Sequence, residues 1–220
     1  MVIAPYHRAM SPDPTPRSGT PRSRRSLFVA AIVAGSLLLA ACGGQAFNPS
    51  GPCSADGSAP GAYPDLEAAV PTTFRGTPPT QLDSGRTCTD AGLATLAAHG
   101  VKELRFAGGT WETGTDSGVS LAVFTNVNGP ALTADWLTEF YETGARQGKN
   151  VDSVDTSGYR SGDVTGRRID VLNGESFQTV VLLARDGAVE VALVGNFTRD
   201  IGTREAHDRV VDEAVAAFGG

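Results

Sequence analysis

Few side chains in this 220-residue chain are suited to chemistry. Beyond residue 41 there are two histidines, His99 and His207. His99 precedes Gly100 at the end of an expected helix, where the helix dipole favours a cation, so capping is its expected role. His207 stands beside Asp208 on the charged face of a second expected helix, and adjacent helical positions diverge. Asp152, Asp155 and Asp163 share one stretch with Ser153, Ser157 and Gly158. Calcium takes about six or more oxygens, and this spacing matches no calcium loop, so no metal is expected. Arg167 and Arg168 fall on opposite faces of one expected strand; one could neutralise a buried carboxylate, but surface placement is the expectation. The chain has no GxSxG, HExxH or P-loop pattern and no GxGxxG after a strand, so neither a catalytic residue nor a cofactor is expected. Trp111 sits in a polar, glycine-rich connection over residues 108–118. A tryptophan there either marks a contact surface or folds back onto a sheet, and both readings stay open.

Cysteine carries the most specific signal. Residues 27–41 form an apolar, uncharged run of 15 residues, short of the roughly 20 needed to span a bilayer. Arg22, Arg24 and Arg25 precede it, as a basic n-region precedes the apolar core of an export signal. The run ends in Leu39-Ala40-Ala41-Cys42, which resembles the lipobox of bacterial lipoproteins. That resemblance implies cleavage before Cys42, diacylglyceryl modification of its sulfur, and a membrane anchor on the extracytoplasmic face. Firm anchoring takes two or more acyl chains. Residues 23–28, SRRSLF, also resemble the twin-arginine export motif; that route and the general secretory one stay open.

If Cys42 is acylated, Cys53 and Cys88 remain as an even pair in a compartment that permits oxidation, and a disulfide between them is expected. It would tie the segment after the anchor to the domain and leave about ten free residues.

Residues 1–41 carry five arginines and one aspartate. The remainder has 13 basic and 23 acidic side chains, a net charge of −10. Nucleic-acid binding needs a basic surface, so no nucleic-acid partner is expected. Residues 43–64 read as a flexible tether, because 12 of the 22 are Gly, Pro or Ser and one is charged. A single domain is expected over residues 65–220.

Within that domain, Asp65 is placed to cap a short helix stopped by Pro71. Pro78 and Pro79 confine residues 72–81 to a sheet edge or a loop. A helix begins at Asp90, strands follow at residues 102–107 and 119–127, and an apolar stripe predicts a helix over 132–147 capped by Thr133. An acidic loop is expected at 150–163. Strands at 164–172, 176–185 and 188–196 are joined by Asn173-Gly174 and Asp186-Gly187, strong hairpin signals. Thr203 caps a last helix. The expected class is α+β: a largely antiparallel sheet of five to six strands with helices packed on it, in the order β-α-β-β-α-β-β-β-α. Over roughly residues 65–218 this order resembles the Mog1/PsbP-like fold. It is also similar to actinobacterial lipoproteins whose domain opens with a Leu-Glu-Ala helix and a proline, here residues 66–71. Neither resemblance implies a functional residue.

The expected function is therefore a non-enzymatic lipoprotein that binds another cell-envelope component, protein or glycan. The alternative is a carrier of an apolar ligand such as a lipid. The anchor is directly testable. Cys42→Ala should remain uncleaved or be released from membranes on fractionation, whereas normal lipidation of that variant would refute the assignment.

Overall fold

A computed structural model describes residues 47–115, 117–174, 176–185, 187–197 and 202–219. The export signal, Cys42 and the first residues of the expected tether lie outside the described residues. The fold is one eight-stranded antiparallel sheet, not five to six strands. Its strands are β1 (Gly57–Ala59), β2 (Gln81–Thr87), β3 (Leu104–Glu112), β4 (Gly118–Asn126), β5 (Ser153–Ser161), β6 (Val164–Asn173), β7 (Ser176–Arg185) and β8 (Ala188–Phe197). Their order across the sheet is β1-β2-β3-β4-β8-β7-β6-β5. Helices are few: α1 (Pro64–Glu67), α2 (Asp90–Leu93), α3 (Thr95–Ala98), α4 (Ala134–Arg146) and α5 (Arg204–Ala216), with a 3₁₀ turn at Ala217–Gly219. Three of them are single turns, so the sheet dominates. No helix among the described residues is long and apolar enough to cross a membrane.

The two longer helices lie on opposite faces of the sheet. Leu137, Tyr141 and Ala145 of α4 pack with Leu104, Phe106, Phe124, Ile169 and Leu182. Val210, Val211, Ala214 and Val215 of α5 pack with Val119, Leu121, Val181 and Val194. The strand alternation that separates these sets is the period of two along each strand. Both helices start as the sequence predicts: Thr133 Oγ1 accepts from the Trp136 amide and Thr203 Oγ1 from the Ala206 amide, each at 3.2 Å.

The expected order β-α-β-β-α-β-β-β-α and its element bounds fail at several places. The first expected strand, residues 72–81, is mostly a loop closed by a Phe74–Thr77 bridge, and the strand that pairs with β3 is β2, starting only at Gln81. The expected acidic loop is β5, paired along its whole length with β6. Gly108 and Gly109 lie inside β3 and are not part of a connection. The helix expected from Asp90 is broken at Ala94, whose φ is +45°. Its cap is Thr89, and α1 starts at Pro64 with no side-chain cap from Asp65. The meander β6–β7–β8 stands as predicted. Asn173 pairs with Ser176, however, so β6 runs one residue further than expected and the turn follows Asn173, with Gly174 at φ +57°.

The largest correction concerns the tether. Residues 47–64 are built into the domain. The Arg86 guanidinium, 5% exposed, donates to four carbonyls: Pro49 and Gly51 through Nη1, Asn48 and Pro52 through Nη2, at 2.9–3.3 Å. Asp56 Oδ1 accepts from the Cys88 and Thr89 amides at 2.6 and 2.9 Å, and its Oδ2 accepts from the Thr89 hydroxyl at 2.6 Å. The Tyr63 amide donates to Ser84 Oγ at 2.7 Å, and β1 pairs with β2. Cys53 and Cys88 form a disulfide, with Cα atoms 5.5 Å apart. The domain therefore begins well before residue 65.

The bridge closes a sequence separation of 35 residues. Its loss should lower stability by about 3.5–4 kcal/mol on the chain-entropy account. Urea unfolding of the oxidised protein against Cys53→Ser/Cys88→Ser checks this; equal midpoints would show that the bridge adds nothing.

Candidate functional site

The structure brings the expected site residues to scattered places. Trp111 is not on a contact surface. It is 3% exposed, its Nε1 donates to the Thr77 carbonyl at 2.8 Å, and its ring meets Phe74 edge-on. The reason is Gly109, two residues away on the same face of β3. A Cβ there would come within 2.8 Å of the indole, so the glycine leaves room for the ring to lie down on the sheet. His99 ends α3 as expected; it also stacks on Trp136 at 4.7 Å and pairs with Glu139 at 2.7 Å. Asp152 accepts from the Gly174 amide, Asp155 lies on β5, and no cluster of three metal-ligating side chains occurs among the described residues.

His207 departs most from expectation, because it is fully buried and not on the charged face of α5. Its neighbours fix its protonation. Thr179 Oγ1 donates its single proton to Asp170 Oδ1 at 2.6 Å. The contact of 2.8 Å between Thr179 Oγ1 and His207 Nε2 must then be donated by the ring. Nδ1 is left as an acceptor for Asn196 Nδ2. Burial, with Arg204 adding to it, holds the His207 pKa down to about 4. Asp170 is pushed up by burial, but hydrogen bonds from Arg168 and Thr179 outweigh that and leave it below the usual carboxylate range. Arg168 is thus the arginine that neutralises an inner carboxylate: it donates to Asp170 at 2.9 Å and to Asp208. Arg204 bridges the same two carboxylates at 2.8 and 3.1 Å.

This cluster superficially resembles a hydroxyl–histidine catalytic pair, yet its polarity is reversed. A general base must accept the nucleophile's proton; here the histidine donates and the hydroxyl proton is committed to Asp170. Thr179 on β7 and His207 on the inner side of α5 are both fully buried. The network ties α5 to β6, β7 and β8.

The accessible candidate is β5, which ends the sheet. Its central four residues, Asp155, Thr156, Ser157 and Gly158, are exposed, and Val154 and Tyr159 anchor it on opposite faces. Tyr159 donates to Asp212 of α5 at 2.8 Å. Burial and that carboxylate push its pKa up to about 12. On the other face Arg146 of α4 donates to the Val154 carbonyl at 3.2 Å and to Glu142 at 2.6 Å. The strand is therefore held from both sides while, among the described residues, its outer backbone edge has no neighbouring strand. Beside it, where α4 begins, lies an open groove of about 510 Å³ lined by Thr133, Asp135, Thr165, Gly166, Arg167 and Ala184. Arg167 pairs with Asp135 across it at 2.7 Å. Sequence reasoning missed β5 because only Val154 and Tyr159 give it apolar character; the usable signal was the turn pair Gly162-Asp163.

No protein-family model and no curated protein sequence matches the chain.

The buried histidine predicts acid sensitivity. In the unfolded chain a histidine protonates near pH ~6.5, whereas His207 stays neutral to about pH 4. Between those values the unfolded state binds more protons, so stability is full above pH ~6.5 and falls on acidification by up to ~1.4 kcal/mol per pH unit. Urea midpoints at several pH values in this window should slope less in His207→Gln than in the natural protein. Identical slopes would remove His207 as the cause.

Proposed function

We propose that the protein is a lipid-anchored, extracytoplasmic binding domain that recognises another envelope component by strand addition along β5. The observation that carries this reading is a nine-residue edge strand, fixed from both faces, whose middle is solvent-exposed. Strand addition uses such an edge: main-chain hydrogen bonds supply affinity and alternating side chains supply selectivity. An extended protein segment fits the edge better than a glycan, because only a backbone can continue the ladder. The anchor rests on the lipobox ending in Cys42.

A non-enzymatic role agrees with the reversed hydrogen-bond polarity at Thr179 and His207 and with their full burial. Against the apolar carrier stand two sheet faces filled by Leu, Val, Ile and aromatic side chains. The groove beside α4 is open and bears an ion pair, unlike the concave, mostly apolar sites that hold lipids.

Ser157→Lys places a charge on the exposed edge, a device that blocks strand pairing, and should alter stability by no more than about 0.5 kcal/mol. Native mass spectrometry of the protein with solubilised envelope should show a stoichiometric protein partner that this variant loses. Retention of the partner by Ser157→Lys would exclude the edge, and co-purifying lipid held by the soluble domain would favour the carrier.

A further inference from the structure

The grip on residues 47–64 has a consequence for how the domain meets the membrane. Phe47 is already docked: its ring meets Tyr63 edge-on at 6.5 Å, and the Arg86 guanidinium lies 5.7 Å from its centre. A Cβ on Gly57 would come within 2.5 Å of the Phe47 ring, so Phe47 packs directly over β1. Four residues, 43–46, separate Cys42 from Phe47. Five Cα steps span at most ~18 Å. The leash is thus far shorter than a tether released at residue 64.

Phe47 thus covers β1, the strand at one edge of the sheet, and β5 forms the other edge. Seven strand spacings separate those edges, about 34 Å. Charge then selects between lying flat and standing up. The outer side of α5 carries Arg204, Glu205, Asp208, Arg209, Asp212 and Glu213, and the exposed positions of α4 include Asp135, Glu139 and Arg146. These charges sum to −2 on α5 and −1 on α4, so neither helix draws its face of the sheet onto an anionic lipid surface. Residues 47–64 contain one charged side chain, Asp56, and it is committed to Cys88 and Thr89.

We infer that residues 47–64, along the β1 edge, form a membrane-abutting surface that stands the domain upright on an anionic lipid surface and points β5 away from it. The inference rests on the lipid anchor at Cys42 proposed above, and adds an orientation to it. The upright stance leaves the binding edge clear of the bilayer.

The test uses the full lipidated protein on phosphatidylcholine–phosphatidylglycerol vesicles bearing a headgroup acceptor dye. A fluorescent amino acid replaces exposed Ala55, near β1, or exposed Ser157, on β5. Energy transfer should be several-fold greater from position 55 than from position 157. A 20-residue Gly-Ser insertion after Gly44, which leaves the domain untouched, should bring the two values together. Equal transfer from both positions in the uninserted protein overturns the orientation, and an insertion without effect overturns the role of the short leash. Intact mass analysis separates the two levels: protein that stays in solution with unmodified Cys42 overturns the anchor, and the orientation with it, whereas acylated, vesicle-bound protein with equal transfer overturns the orientation alone.

Discussion

A buried guanidinium organises the N-terminal side of this fold. Arg86 on β2 lies almost wholly out of water, within reach of four carbonyls from Asn48, Pro49, Gly51 and Pro52, and 3.9 Å from Glu103. Its Nε has no partner among the described residues, and there the charge is compensated chiefly by carbonyl dipoles and one carboxylate. Removing one side of such an arrangement leaves a buried charge uncompensated, at a cost of about 3–5 kcal/mol. The carbonyls therefore cannot leave without exposing the cation, and the cation cannot relax while the carbonyls stay. That mutual dependence turns a Gly/Pro/Ser segment with little apolar surface into fixed structure. Asp56 and the Cys53–Cys88 bridge act on the same segment from the β2–α2 connection.

Across the sheet, polar groups again do the fixing, at the opposite end. Asp170, Thr179, His207 and Asn196 form a chain of hydrogen bonds from β6 through β7 to α5 and β8. Arg168 and Arg204 neutralise Asp170 and Asp208 at its mouth. A chain of this kind is worth most when every member is satisfied; among the described residues Asn196 Oδ1 finds no partner. Tyr159 and Arg146 extend the same logic to β5, whose apolar content is too small to dock it unaided. The side chains that looked chemically able, His207 above all, are thereby absorbed into holding an edge in place.

Elements that bury large apolar stripes were legible in the sequence. The helix begun by Thr133 and the meander from Val164 to Asn196 stood out because period and turn chemistry agree there, and Thr203 marked the final helix correctly. The Cys53–Cys88 pairing was legible from cysteine parity once Cys42 is set aside. What stayed hidden is held by polar contacts between residues distant in sequence. Asp56, the single charge in an apparently featureless segment, grips Thr89 across 33 positions, and no local pattern reports that. β2 and β5 lack alternation because β2 turns polar Ser84 and Arg86 inward and β5 leaves its middle in water. The strand around Trp111 was hidden for a local reason: Gly109, which suggests a loop, is here the space the indole occupies.

The central claim is that the chain is fixed to the domain from residue 47 onward and not from residue 65. Hydrogen–deuterium exchange of the oxidised protein tests it most directly, in peptides spanning residues 47–64. The account predicts protection of β1 and the Tyr63 amide comparable with other folded edges of the sheet, lost together in Arg86→Ala. Complete exchange of the segment within seconds, as for a free tether, would contradict it.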